Sequence, residues 1–502
     1  MSRKKKLLLN TCAGILKQVI TVVCGFILPR FMLLYYGSSV NGLVSSISNF
    51  LSFIYFLDMG VGSVIQANLY KPLVDQDHEK ISMLIKASER FFRKLAYIFS
   101  AYILVLCFVL PKLVDTRFDW WYTASLVLII SVSTLGQYLL GNTYLILLNA
   151  DQRAYVYLTL QIGTIVLNTV LSIILMKMGA SIHAVKLMTA IVYILRPIGQ
   201  ALYVKKHYKI DRSVKLVGEP IKQKWNGFSQ HFAAVVCQNI DVAVLTVFST
   251  LENVSIYSVY YNVTSGVDQI LLTAATGLEP LFGNMIARGE KSELDKTFNC
   301  VEWLVHTLVC IVFFIAAFTI VPFVTVYTKG VTDANYRVPL FGFLLVIAYA
   351  AQCMRIPYQK VVKAAGHFKQ TQNGAYISAG LNIVITIALV FKYGLIGAAL
   401  GTFVAMMYHT CYFVWYLRKS ILERPAKYFI GYILTDLVIF GASYAIARVF
   451  TTDCENYLDW IILAIKSGMV VLAVSAVVNL VFYRKPISDI MGMLRGRNKH
   501  EG

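Results

Sequence analysis

The chain has 502 residues, of which 58% are hydrophobic and 14% charged, and its mean hydropathy is +0.64. Soluble domains carry about 25% charged residues, so a soluble globular enzyme, a disordered chain and a fibrous chain are excluded. The excess of 46 Lys and Arg over 26 Asp and Glu, +20 in all, would suit nucleic acid in a soluble protein; in so apolar a chain it suits the basic cytoplasmic loops of a membrane protein.

Apolar runs of about 20 residues, enough to cross a bilayer, recur along the whole length. They predict an all-α integral membrane protein with about fourteen spans: 8–34, 41–68, 94–111, 122–148, 155–177, 183–204, 226–249, 254–284, 298–321, 338–357, 372–391, 394–416, 428–450 and 460–483. The basic start, Met1-Ser-Arg-Lys-Lys-Lys6, precedes an apolar run without a small-residue cleavage site, which predicts a retained first span. The second and eighth spans are long, so tilt or a cytoplasmic extension is expected.

With the N-terminus inside, alternation places 34 basic residues on inner segments and 7 on outer ones. That bias predicts that both termini are cytoplasmic. Five basic residues fall within spans: Lys17, Arg30, Lys186, Arg196 and Lys466.

The chain also repeats weakly. Lys177-Met-Gly179 and Lys392-Tyr-Gly394 lie 215 residues apart, and the turns Ala150-Asp-Gln-Arg153 and Ala364-Ala-Gly-His-Phe-Lys369 are separated by nearly the same distance. Residues 1–204 and 225–416 are therefore expected to be two six-helix lobes of the same orientation, related by an axis along the membrane normal. Segment 205–224 is the cytoplasmic linker, and 417–502 adds spans thirteen and fourteen and a basic tail.

The nine cysteines include no CxxC pair, so neither a disulfide framework nor a metal site is expected. No Walker A loop, HExxH, GxSxG or dinucleotide fingerprint is present. No ATP site, catalytic residue, cofactor or nucleic-acid partner is expected, so any transport would be secondary.

Local patterns carry a family resemblance. Tyr36-Gly-Ser-Ser-Val-Asn-Gly42 followed by Leu57-Asp-Met-Gly-Val-Gly62, Gln238-Asn-Ile-Asp241 followed by Val254-Ser-Ile-Tyr-Ser258, and Tyr393-Gly-Leu-Ile-Gly-Ala-Ala399 resemble the polysaccharide (Wzx-type) flippases of the MOP, or MATE-like, exporter superfamily. The likeness extends over about the whole chain, and the first span is similar to Gram-positive members. The resemblance implies a bacterial cytoplasmic-membrane protein that flips an undecaprenyl-diphosphate-linked oligosaccharide, a capsule, exopolysaccharide or teichoic-acid-type precursor, from the inner to the outer leaflet by alternating access. Its partners would be that lipid, the bilayer and a coupling ion, H+ or Na+. A MATE-like antiporter of small molecules is one alternative. A membrane polymerase or ligase is the other, although the longest outer loop, 322–337, is short for one.

Charges within spans are expensive and are functional candidates by default. Arg196, beside Pro197, and Lys17 are expected to contact the diphosphate. Arg30 lies about 220° from Lys17 on a straight helix and shares its cavity only if Pro29 bends the span. Asp58, Asp241, Asp268 and Glu279 are the candidate coupling or gating acids. Asp268 and Glu279, eleven residues apart, fall about 20° apart on one face of an uninterrupted helix. Glu302, Asp436 and His306 are expected to be structural, and Lys186 and Lys466 to reach an interface or an acid.

Overall fold

In the computed structural model, residues 3–57, 59–114, 117–214, 228–422, 424–425, 427–450 and 454–484 are described. Every regular element among them is helical. In chain order these are α1 (Arg3–Ser52), α2 (Met59–Asp75), α3 (His78–Leu113), α4 (Trp120–Gly136), α5 (Asn142–Ala150), α6 (Ala154–Lys177), α7 (Ile182–His207), α8 (Phe228–Phe248), α9 (Leu251–Ala274), α10 (Leu278–Ala287), α11 (Lys291–Tyr327), α12 (Pro339–Met354), α13 (Ile356–Ala364), α14 (Phe368–Tyr393), α15 (Leu395–Ser420), α16 (Lys427–Ala447) and α17 (Tyr457–Phe482).

Twelve helical runs among the described residues are long and apolar enough to cross a membrane, and Val235–Phe248 is a shorter apolar helix. The first run, Lys5–Tyr55, is two helices joined at Gly37, whose φ of 79° breaks the helix. Separating them and adding Val235–Phe248 gives the fourteen expected spans. Asp77, Ser181 and Asn456 cap α3, α7 and α17 by accepting a backbone N–H from Lys80, Ala184 and Asp459, which satisfies donors that a helix start leaves open.

Both long spans are interrupted, rather than simply tilted. A 3₁₀ turn at Phe53–Leu57 divides the second, and another at Ala275–Gly277 divides the eighth. Other irregularities recur in the same way. Positive φ values occur at Gln76 and Gly289, at Gln152 and Gly366, and at Gly179 and Gly394. These pairs lie 213, 214 and 215 residues apart.

The chain divides into two compact units, 1–255 and 256–502, with the boundary inside α9. In the first unit α1 packs on α6, α4 and α8, α6 on α7, α7 on α4, α3 on α4, and α2 on α3 and α5. Its core includes Leu43, Ile47, Ile65, Phe92, Phe99 and Leu147. In the second unit α14 packs on α15, α15 on α12, α11 on α12, and α10 on α11 and α13; α16 and α17 pack on each other and on α11. Large apolar side chains remain exposed on most spans, among them Leu16, Val23, Leu104, Phe108, Leu437 and Leu472. A membrane supplies their solvent, so helix association rests on close packing and interhelical hydrogen bonds.

Candidate functional site

Arg196 is half-buried on α7. Its Nε donates to Thr164 Oγ1 of α6 at 2.6 Å, and its guanidinium lies 3.9 Å from the centre of the Tyr193 ring. The Thr164 hydroxyl in turn lies within donating distance of the α6 carbonyls of Leu160 and Gln161, at 2.8 and 3.0 Å. Pro197 follows within an unbroken α7. Lys186, near the start of α7, has Nζ 3.7 Å from Met32 Sδ on α1. Lys17 is half-buried on α1. Among the described residues, no carboxylate pairs with Arg196, Lys186 or Lys17. Arg30 is half-buried directly after Pro29. Lys466 is exposed on α17.

The acids have different surroundings. Asp268 is 5% exposed; its carboxylate accepts from Gln352 Nε2 at 3.0 Å and from the Cys353 thiol at 3.2 Å. Glu279 pairs with Lys360 at 3.3 Å. The 3₁₀ turn between α9 and α10 removes the straight-helix register assumed for these two acids, yet both meet the same run, α12–α13. Asp241 is buried on α8. Asp58 lies outside the described residues, as do the side chains of Gln230, His231 and Ala234.

Glu302 and Asp436 lock the last two spans to α11. Arg424, in the turn before α16, places Nη2 2.6 Å from Glu302 Oε2, with Tyr358 donating to the other oxygen. Asp436 on α16 meets His306 Nδ1 at 2.8 Å, and Tyr432 stacks on the His306 ring. Trp303 donates to Asn479 of α17 at 2.6 Å. Arg424 and Lys360 belong to the 34 basic residues that the charge count assigns to inner segments. The structure puts Lys360 on α13 and buries Arg424, a difference readable only from tertiary contact.

A polar seam follows the second half of α1. Ser39 donates to Glu252 at 2.5 Å, and Arg117 pairs with the same carboxylate at 2.8 Å. Asn41 donates to Ser255 at 2.8 Å, Ser46 meets Thr246 at 2.7 Å, and Asn49 and Ser52 both reach Asn239. Gly42 lies so close to Leu251 that an added Cβ would overlap its carbonyl. The Asn41-Gly42 pattern and the Val254-Ser255 pattern thus meet each other.

At the opposite end of α1, Lys6 and Arg153 contact Asp151 at 2.9 and 2.8 Å, and Tyr208 donates to it at 2.5 Å. Burial, followed by the Asp151 hydrogen bond, pushes the Tyr208 phenol up, so this donor keeps its proton.

The fold is that of known transporters. A structure of the lipid II flippase MurJ in an inward closed conformation matches with a TM-score of 0.71 at 17% identity, covering 96% of this chain and 100% of that one. An inward-facing multidrug resistance MATE transporter of the MOP superfamily matches at 0.60 with 14% identity, over 80% of this chain and 95% of that one. A eukaryotic MATE transporter, AtDTX14, matches at 0.57 with 13% identity, over 84% and 96%. No family model matches the chain, and no curated protein sequence matches it.

Proposed function

We propose that this chain is a secondary flippase of a bacterial cytoplasmic membrane that moves an undecaprenyl-diphosphate-linked oligosaccharide to the outer leaflet by alternating access. The fold supports a transporter but does not choose between a lipid and a drug as cargo. The choice rests on one observation: Arg196 holds its charge inside a span against a hydroxyl and an aromatic ring, with no carboxylate among the described residues paired to it. A charge removed from water needs a counter-charge. A guanidinium can give two hydrogen bonds to phosphate oxygens. Lys17 and Arg30 complete the proposed diphosphate contacts. A carrier of cationic drugs would need acids in this position, and Asp268 and Glu279 are already engaged by Gln352, Cys353 and Lys360.

The paired left-handed turns and matching helix contacts of α2–α7 and α10–α15 support two copies of one six-helix unit, 1–204 and 225–416, as the moving parts. Asp58, Asp241, Asp268 and Glu279 remain the proposed gating or coupling acids, with H+ or Na+ as the ion.

The test is transport of a lipid-linked oligosaccharide in reconstituted vesicles, normalised to folded protein. Loss of one charged contact costs about 1.5–3 kcal/mol, so Arg196→Ala should lower apparent affinity roughly tenfold to a hundredfold. Arg196→Lys should retain part of the activity. Full activity in the Arg196→Ala, Lys17→Ala double variant, or uptake of a cationic dye in place of the lipid, would overturn the assignment.

A further inference from the structure

A cavity of about 390 Å³ lies at the start of α3, lined by Ser82, Lys86, Glu89, Arg90, Arg93 and Arg212 among others. Positions 82, 86, 89 and 93 recur every three or four residues and so share one helix face. Residues 210–212, which follow α7, close the other side.

The groups lining this cavity are not equally available. Lys86 Nζ donates to the carbonyls of Arg212 and Val214 at 3.0 and 2.7 Å, and Asp211 N donates to Ser82 Oγ at 2.9 Å. These bonds hold the wall in place. Glu89 accepts from Tyr144 at 3.0 Å and faces Arg212 at 3.9 Å. Asp211 accepts from the Ser213 N–H and hydroxyl at 2.8 and 2.7 Å, and these bonds hold its carboxyl below the usual range. Both carboxylates are thus satisfied within the wall. Arg90 and Arg93 are exposed at the cavity, and neither makes a hydrogen bond or ion pair among the described residues. The lining carries four cations against two acids.

Position along the helix selects the ligand. Tyr97 and Ile98, 66% and 51% exposed, begin the apolar outer face of α3. Tyr97 is four residues beyond Arg93, or about 6 Å along the axis. An anion at Arg90 and Arg93 therefore sits at headgroup depth, with hydrocarbon beginning about one turn away. We infer that the α3 cavity binds the phosphate head of an anionic membrane amphiphile through Arg90 and Arg93. This site is separate from the span cations and does not depend on the transport reading.

The phosphate can belong to a bilayer phospholipid or to a polyprenyl diphosphate. Full-length protein in a non-ionic detergent is titrated, by microscale thermophoresis at low salt, with dioleoylphosphatidylglycerol, farnesyl diphosphate, dioleoylphosphatidylcholine and inorganic pyrophosphate. At least one of the two anionic amphiphiles should bind more tightly than phosphatidylcholine and pyrophosphate, and the one that does identifies the source. Arg90→Ala with Arg93→Ala should weaken that binding at least about tenfold. Both side chains are exposed, so the double variant should fold. Lys291→Ala with Lys296→Ala, which removes two exposed cations before the apolar part of α11, should leave it unchanged. Equal affinity in the Arg90, Arg93 variant overturns the site. Pyrophosphate binding as tight as farnesyl diphosphate overturns the membrane amphiphile as its ligand. The readout is binding, so failure here leaves the transport assay to judge the proposed function by itself.

Discussion

The seam along α1 and the cluster on α11 are both polar and both within spans, yet they hold helices in different ways. Apart from the Glu252–Arg117 pair at its end, the seam is built of uncharged groups: Asn41 with Ser255, Ser46 with Thr246, and Asn49 and Ser52 with Asn239. The cluster is built on an ion pair, Arg424 with Glu302, and on the hydrogen-bonded His306 and Asp436, closed over by Tyr358 and Tyr432. Hydroxyl and amide pairs in a membrane average about 0.6 kcal/mol and reach about 1.7. Removing one partner of a buried ion pair costs about 3–5 kcal/mol. A contact that must part and re-form in each transport cycle is best made of the first kind, and a permanent attachment is best made of the second. On the transport reading, α1 and α8 separate while α16 and α17 stay fixed to α11.

The sharpest way to break this contrast is Arg424→Ala. It strands Glu302, which is 1% exposed, and should cost about 3–5 kcal/mol in chemical unfolding of the detergent-solubilised protein. Arg424→Met with Glu302→Gln should recover much of that loss. A single variant as stable as the parent would mean that the pair does not hold the extension.

Gly42→Val should have a smaller effect on stability but a sharper one on conformation. The side chain overlaps the Leu251 carbonyl, and overpacking of this kind costs about 1–3 kcal/mol. A pair of spin labels at positions 39 and 252 should report a longer distance in this variant. An unchanged distance would show that the seam tolerates bulk.

The smallest effect is expected for Ser46→Ala and Thr246→Ala. A double-mutant cycle on unfolding should give a coupling of about 0.6 kcal/mol. A coupling above about 2 kcal/mol would place the seam with the cluster and remove the distinction between them.

Much of this was legible in the sequence. Span positions follow from apolar runs, because lipid imposes one requirement on every residue that faces it. The repeat was visible at Gly179 and Gly394 because a positive φ restricts which side chains fit; the loops that hold Gln76 and Gly289 correspond by their charges, but the shared turn conformation leaves no mark there, because Gln occupies it at one of the two positions. Boundaries were less legible. Span three was expected to begin at 94, and α3 begins at His78, because its first turns are amphipathic and carry charged residues that an apolar run leaves out. The acids on span eight were placed by straight-helix geometry, which the 3₁₀ turn at Ala275–Gly277 cancels.

The sequence by itself determined that this is a multi-span helical protein with a repeated plan and charges buried in its spans. Solvent preference and backbone conformation are properties of single residues and short windows, so they can be read locally. The partners of those charges were decided only by the tertiary structure. Arg196 met the Thr164 hydroxyl of α6, Asp268 an amide and a thiol, and Arg424, counted among the inner-segment cations, the carboxylate of Glu302. A buried charge is stabilised by the groups that come within a few ångströms of it, and in a bundle most of those groups arrive from a helix tens or hundreds of residues away.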